Sequence, residues 1–246
     1  MATFKTRLSK ISKTNGKIIL ANDYDLSVKK LEKKTVENIK QLHPFLCAIK
    51  LNFHLLLPLG KKEILKITNT SHQYGLQTIA DIKLNDIGNT NRVTIENLWS
   101  LGFDAVIANP IMGIDSLKNL VNISHKQDKG VITLCHMSAP EARLSYDIEI
   151  KMKKKQQLYQ LFLDWALNSK ADGIVVGATF PKIIQYCAKK IGKKMSIFSP
   201  GVGVQGGNAK EVLSSGTDYL IVGRTILNAK DPINVAKELH LQSIGK

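Results

Sequence analysis

Arginine is scarce in this 246-residue chain: Arg7, Arg92, Arg143 and Arg224 are four among 35 basic residues, and the rest are lysine. The net charge of +15 therefore rests on lysines spread along the sequence, with one dense run from Lys151 to Lys155. Sequence-reading nucleic-acid binders rely on arginine forks for bidentate contacts. The composition thus argues against a nucleic-acid partner and for a solvated, lysine-biased surface. Such a field still draws in an anionic substrate. Cysteine is sparse too. Cys47, Cys135 and Cys187 are odd in number, far apart and set in apolar surroundings, which predicts reduced, buried thiols in a cytoplasmic protein rather than a disulfide scaffold. No apolar run approaches the ~18 residues of a membrane span, and Met1 to Gly16 lacks the apolar core of a secretory signal, so no membrane partner is expected. The six histidines, His43, His54, His72, His125, His136 and His240, lack zinc-type spacing, so no metal is expected. His136 is expected to be packed or hydrogen-bonded. No residue pattern calls for a cofactor.

What is present is a regular alternation. Apolar, strand-like runs occupy residues 17–22, 45–51, 77–82, 104–109, 130–135, 172–176, 195–199 and 218–222. Amphipathic, helix-like stretches lie between and after them, near residues 27–41, 61–74, 90–101, 115–125, 155–169, 181–191, 209–214 and 232–241. Near-continuous apolar strands imply a sheet covered on both faces, as parallel sheets are. Eight strand–helix units predict an α/β fold, a closed single-domain (β/α)8 TIM barrel spanning residues 1–246. No linker or low-complexity tract interrupts it. Phe4, Leu8 and Ile11 recur at helical spacing, so residues 1–16 are expected to form a short helix closing one end. The longest stretch without a helix, Met137 to Lys154, reads either as a mobile lid or as a plain surface loop.

Barrel active sites gather at the C-terminal ends of the strands. The polar residues expected there are Asp23, Lys50, Asp81, Lys83, Ser138, Gln205 and Arg224. The richest run is Asp81-Ile82-Lys83-Leu84-Asn85-Asp86-Ile87-Gly88-Asn89-Thr90. Alternation along a strand puts Asp81 and Lys83 on one face, with Asp86 just beyond. Charges so placed are costly in a core and useful in a site, although a salt-bridge network at the rim is an alternative. Two glycine-rich turns follow the last strands. Pro200-Gly201-Val202-Gly203-Val204-Gln205-Gly206-Gly207 comes after the seventh, and Gly223-Arg224 after the eighth. Glycine admits close approach of backbone N–H groups to an anion, and these two loops hold phosphate in many barrels. Arg224 would add a forked cation. Residue type alone does not separate Asp23 from Asp25, leaves Ser138 open to a turn-capping role and Gln205 to that of a plain loop residue, and lets Thr90 or Asn89 cap the third helix.

Taken together, these residues resemble the orotidine 5′-phosphate decarboxylase family over nearly the whole chain. Its pattern Asp-x-Lys-x-x-Asp, with Ile-Gly-Asn-Thr following, is met by Asp81 to Thr90. Its lysine after an apolar strand is met by Lys50, its Met-Ser by Met137-Ser138, and its phosphate loop by Pro200 to Gly207. The resemblance implies decarboxylation of orotidine 5′-monophosphate to UMP without a cofactor. It makes Lys83 the proton donor and sets Asp81 beside the scissile carboxylate. It gives Asp23 and Lys50 to the ribose hydroxyls, Ser138 to the pyrimidine amide, and Gln205 to base and phosphate. Gly223 and Arg224, with the Pro200–Gly203 turn, go to the phosphate. It also implies a homodimer, with Asp86 and Thr90 reaching the partner's site. Asn22 before Asp23, and Asn52 two residues after Lys50, depart from the usual pattern. The nearest rival is a Mg²⁺-dependent sugar-phosphate enzyme of the same barrel group, such as hexulose-phosphate synthase. Lys50 argues against it, because an ammonium there repels a divalent ion.

Overall fold

The computed structural model describes residues 2–151 and 155–245. The chain opens on α1 (Phe4–Asn15), capped by the Thr3 hydroxyl, which accepts from the Thr6 N–H. Strands and helices then alternate: β1 (Ile18–Ala21) and α2 (Leu31–Leu42), β2 (Ala48–Asn52) with the short α3 (Phe53–Leu56) and then α4 (Lys61–Gln73), β3 (Gln77–Leu84) and α5 (Gly88–Ser100). Next come β4 (Ala105–Ala108) and α6 (Ile114–His125), and β5 (Gly130–His136). A small hairpin, β6 (Glu149–Lys151) with β7 (Lys155–Gln157), precedes α7 (Leu158–Ser169). The chain ends with β8 (Gly173–Val176) and α8 (Pro181–Ile191), β9 (Ser196–Pro200) and α9 (Ala209–Ser214), and β10 (Tyr219–Val222) with α10 (Arg224–Leu227) and α11 (Pro232–Ser243).

Eight strands close the barrel in the order β1-β2-β3-β4-β5-β8-β9-β10, with β10 returning to β1, and every pair is parallel. The strands are buried on both faces, which is why they read as unbroken apolar runs. All eight strand-like segments form barrel strands. The second starts later than its apolar run because Pro44 sets a 3₁₀ turn over His43–Phe45. The helix expected from residue 27 begins at Leu31, after Lys30 in the left-handed region (φ 55°). Cys47, Cys135 and Cys187 are buried free thiols. Among the described residues no helix is long and apolar enough to cross a membrane.

Two expectations need correction. The segment after β5 is more structured than a loop: a 3₁₀ turn spans Pro140–Leu144, and the β6–β7 hairpin follows. Tyr146 anchors it, buried in the core and hydrogen-bonded through its carbonyl to the Tyr159 N–H at 2.9 Å. The helix expected from residue 155 starts at Leu158, because Lys155–Gln157 is the hairpin's second strand. Residues 152–154 of the lysine run lie outside the described residues. At the opposite end of the barrel, α1 packs by Phe4 against Gly130 and by Arg7, whose guanidinium lies 3.1 Å from Asp104.

Candidate active site

A cavity of about 250 Å³ opens at the C-terminal ends of the barrel strands. Its floor is apolar, made by strand residues such as Ile107, Leu134, Val175 and Ile221. Its walls are polar. The central feature is a chain of three charges. Lys50, on β2 and only 3% exposed, places its Nζ 2.7 Å from Asp81 Oδ2. Lys83 Nζ lies 3.0 Å from Asp81 Oδ1. Burial pulls the Asp81 carboxyl upward, but the ammoniums of Lys50 and Lys83 outweigh it and hold the group below the usual carboxylate range. Asp81 is therefore an ionised, doubly clamped carboxylate at neutral pH.

Simple strand alternation does not bring Lys83 to Asp81. β3 pairs Ala80 with Val106 and then Leu84 with Ala108, four steps on β3 against two on β4. The surplus forms a bulge, and Lys83 sits in it at φ 47°. A non-glycine residue in that region is strained, and bulges of this kind re-aim side chains beside sites. The bulge leaves the Lys83 side chain 41% exposed, toward the cavity, while Asp81 stays buried.

Asp23 follows β1 and lines the cavity, whereas Asp25 is exposed and does not. Asp23 Oδ1 is 3.9 Å from Lys50 Nζ and is buried without a hydrogen-bond partner. The turn that carries it is pinned from beneath. Asn38 on α2 donates to the Tyr24 hydroxyl at 2.9 Å, and that hydroxyl donates to Asn22 Oδ1 at 3.0 Å. Burial pushes the Tyr24 hydroxyl up to about 12, so it stays neutral. Asn22, one of the two departures noted in the sequence, is thus a buried anchor of this turn. The other, Asn52, accepts a hydrogen bond from Lys50 Nζ and lines the cavity.

The far wall comes from the loops after β5, β9 and β10. The Ser138 hydroxyl donates to Gln205 Oε1 at 2.9 Å, joining two of those loops. Pro200, Gly201, Val202, Gln205, Gly223 and Arg224 all line the cavity. Gly203 does not; its φ of 80° needs glycine, and a Cβ there would collide with Thr225. Thr225 itself had no sequence signal. Its hydroxyl donates to the Val202 carbonyl at 2.9 Å and accepts from the Val204 N–H at 3.1 Å, stitching the two glycine turns together. Arg224 is exposed at the first position of α10. Asp86 and Thr90 lie outside the cavity and are exposed, and Asp86 Oδ1 accepts from the Ile87 N–H at 2.7 Å. His136 is fully buried, 3.2 Å from Asp147 and packed among Tyr146, Tyr159 and Phe180. No three His, Cys, Asp or Glu side chains among the described residues are placed to hold a metal ion.

Known proteins resemble this chain in sequence and fold. The orotidine 5′-phosphate decarboxylase of Methanosarcina mazei is 34% identical over 217 residues, covering 87% of this chain and 91% of its own. The crystal structure of orotidine 5′-phosphate decarboxylase from Pyrococcus horikoshii OT3 superposes with a TM-score of 0.75 at 30% identity, covering 93% of this chain and 100% of that one. Leishmania donovani UMP synthase superposes with a TM-score of 0.85 at 23% identity. That match covers this whole chain but 57% of the synthase, and it speaks to the fold alone. A family model described as orotidine 5′-phosphate decarboxylase / HUMPS matches residues 16–239, from just before β1 into α11. With the closed barrel, the relatives' identity and this span in agreement, the chain belongs to the orotidine 5′-phosphate decarboxylase / HUMPS family.

Proposed function

We propose that this chain converts orotidine 5′-monophosphate to UMP and CO2, and that Lys83 delivers the proton to C6. The observation that carries the reading is the Lys50–Asp81–Lys83 chain, closed at 2.7 and 3.0 Å and set across the cavity from Arg224 and the glycine turns. Loss of CO2 breaks the C6–carboxyl bond and leaves its electron pair on C6, in an orbital lying in the ring plane. The ring π system cannot spread that charge. Stabilisation must come from charge already in place. At ~4 Å and an effective dielectric near 20, one ammonium facing the pair is worth about 4 kcal/mol. The proton then passes from Lys83 Nζ to C6, and the neutral amine regains a proton from water. Lys50 keeps Asp81 ionised, and Asp81 in turn keeps Lys83 charged and aimed. Asp81 beside the bound carboxylate also adds repulsion that is relieved as CO2 leaves.

The remaining residues hold the nucleotide. The unpartnered Asp23 Oδ1 is an acceptor suited to a ribose hydroxyl, with Lys50 beside it as donor. The joined Ser138 and Gln205 suit the pyrimidine amide, Gln205 also reaching the phosphate. The phosphate falls to Gly223, the Arg224 guanidinium and the Pro200–Gly203 turn. This grip lies remote from C6, so its binding energy can orient the ring for reaction. Asp86 and Thr90, turned out of their own cavity, are assigned to the site of a second copy in a homodimer.

A Mg²⁺-dependent sugar-phosphate reaction is the competing reading within the same barrel group. The buried Lys50 ammonium, bonded to both Asp81 and Asn52, would repel such an ion. A spectrophotometric assay with orotidine 5′-monophosphate decides the matter. Wild-type turnover unchanged by excess EDTA, with near-total loss in a folded Lys83→Ala variant, is expected. Absence of wild-type turnover removes the reading; retained turnover in Lys83→Ala removes the role of Lys83.

A further inference from the structure

The strand that carries Met137 and Ser138 to the cavity is irregular at its end. β5 and β8 pair Leu134 with Val175 and then His136 with Val176, two steps on β5 against one on β8. Leu134 lines the cavity. Unbroken alternation would send His136 into the cavity as well and turn Met137 away. The extra residue reverses this. Met137 lines the cavity, and His136 is fully buried outside it, against Tyr159 of α7 and Phe180 at the start of α8.

We propose that His136 is a positioning residue for base recognition, a role that rests on the cavity's holding a nucleotide. Its ring touches no ligand. It holds the Met137–Ser138 peptide and, through Asp147, the segment that follows β5.

The polar contacts of the ring carry this role. Nδ1 lies 2.8 Å from the Met137 carbonyl oxygen, and Nε2 lies 3.2 Å from Asp147 Oδ1. Both partners are acceptors, so the ring is the donor to each. A trans peptide carries its C=O and N–H on opposite sides, so a carbonyl held by Nδ1 fixes the direction of the Ser138 N–H as well. Neighbours hold the same stretch from other sides. The His136 carbonyl accepts from the Gly177 N–H at 3.0 Å, and a Cβ on Gly177 would collide with Ser138 Cα. The Thr179 hydroxyl donates to the Ser138 carbonyl at 2.8 Å. So placed, the Ser138 hydroxyl reaches Gln205 across the cavity wall.

Asp147 stands eleven residues along the chain from His136, just before the β6–β7 hairpin. Tyr146 beside it packs on the His136 ring with centroids 5.3 Å apart. The bond from Nε2 therefore closes the returning segment onto the strand end from which it leaves. Packing alone would be served by an apolar side chain, and a fully buried imidazole is costly unless its nitrogens are bonded. Here the two bonds end on Met137, which lines the cavity, and on the returning chain at Asp147.

Two ligands that share a phosphate and differ in the base separate this role from a general one. UMP and ribose 5-phosphate are each titrated calorimetrically into the full chain, and wild type is expected to bind UMP more tightly. His136→Leu removes both donors; UMP affinity should fall more than about tenfold, with ribose 5-phosphate affinity held within about twofold. His136→Asn, whose amide nitrogen stands near the Nδ1 position, keeps a donor for Met137 and should restore most of the loss. Asp147→Ala changes a side chain that is 26% exposed. It should weaken UMP selectively by about threefold or more, and it decides the matter if His136→Leu does not fold. Equal weakening of both ligands in folded variants, unchanged UMP affinity, or His136→Asn no better than His136→Leu overturns the proposal. A wild type without preference for UMP removes the nucleotide reading and this role with it, whereas a wild type that prefers UMP, with no selective loss in the variants, removes the role alone.

Discussion

Asp81 shows how one side chain's state depends on its neighbours. It is buried, and burial alone would favour the neutral acid. Its depressed folded-state pKa means that the pairing stabilises the protein at every pH above the unfolded value of about 3.9, and that this contribution is lost as pH falls through the folded value. Lys50→Ala removes the nearer ammonium and leaves a buried carboxylate with one partner, Lys83, which is itself partly exposed. The variant is expected to lose about 3 kcal/mol at pH 7. The gap to wild type should close in acid, where Asp81 is protonated in both proteins. Urea denaturation at several pH values measures this; a gap that stays constant with pH would mean that Asp81 is not the group responding. The same site shows what residue-level reading can reach. Asp81, Lys83 and Lys50 stand out because charges at strand ends need a reason. Thr225 does not, since its hydroxyl earns its role only after two distant turns meet over it. The bulge at Lys83 was equally hidden, because it exists only in the pairing of β3 with β4.

At the scale of elements, the barrel's N-terminal rim repeats one device. Asp104, Asp172 and Asp218 each stand immediately before a strand, and each accepts the N–H of the second residue of the neighbouring strand: Thr78, Val131 and Ile197, at 2.9, 2.8 and 2.8 Å. The three bonds fix strand register where the ladders begin. Their electrostatics differ. Burial raises the Asp104 carboxyl, but His72 and Lys129 outweigh it and set it low, with Arg7 alongside at 3.1 Å. Burial raises Asp218 too, and there the Ile197 N–H, Lys17 and Lys5 do not overcome it. Asp104 therefore stabilises the fold above the unfolded carboxyl pKa and ceases to do so as pH falls through its depressed value. Asp218 does the opposite, since its folded form holds the proton more tightly and its contribution shrinks as pH rises through the raised value. An asparagine keeps an oxygen for the backbone N–H in either place. Asp104→Asn should thus cost about 3 kcal/mol at pH 7, and Asp218→Asn less than about 1 kcal/mol. Equal losses in parallel urea titrations would discard the distinction. The strands themselves were legible because each is apolar on both faces. The β6–β7 hairpin was not, because its strands Glu149–Lys151 and Lys155–Gln157 are three residues each and polar, with no run of apolar positions to announce them.

For the molecule as a whole, the eightfold alternation made the barrel readable, but a barrel in isolation leaves part of its family motif unused. Asp86 and Thr90 sit on the rim beside the cavity without entering it. Around them, at the C-terminal ends of β2, β3 and β4, large apolar side chains stand in the open: Phe53 at 56%, Leu57 at 68%, Ile87 at 65% and Ile111 at 59% exposure. Several large exposed apolar side chains at one rim point to a place where something docks. In the proposed homodimer, a two-fold interface over this rim would cover the apolar residues and carry each Asp86 toward the partner's Lys83. Complementation then has a definite outcome. Under that proposal, homodimers of Lys83→Ala would lack the proposed donor in both sites, and homodimers of Asp86→Asn would lack the acid in both. In a hybrid, one site collects both lesions and the other collects neither. Random exchange at equal concentrations makes half of all dimers hybrid, so activity should return to about one quarter of the wild-type value. Native mass spectrometry confirms that exchange has occurred. Activity no greater than the mean of the two parents, with hybrids present, would place Asp86 in its own chain's chemistry or outside the chemistry altogether, and the exposed apolar rim would then need a different occupant.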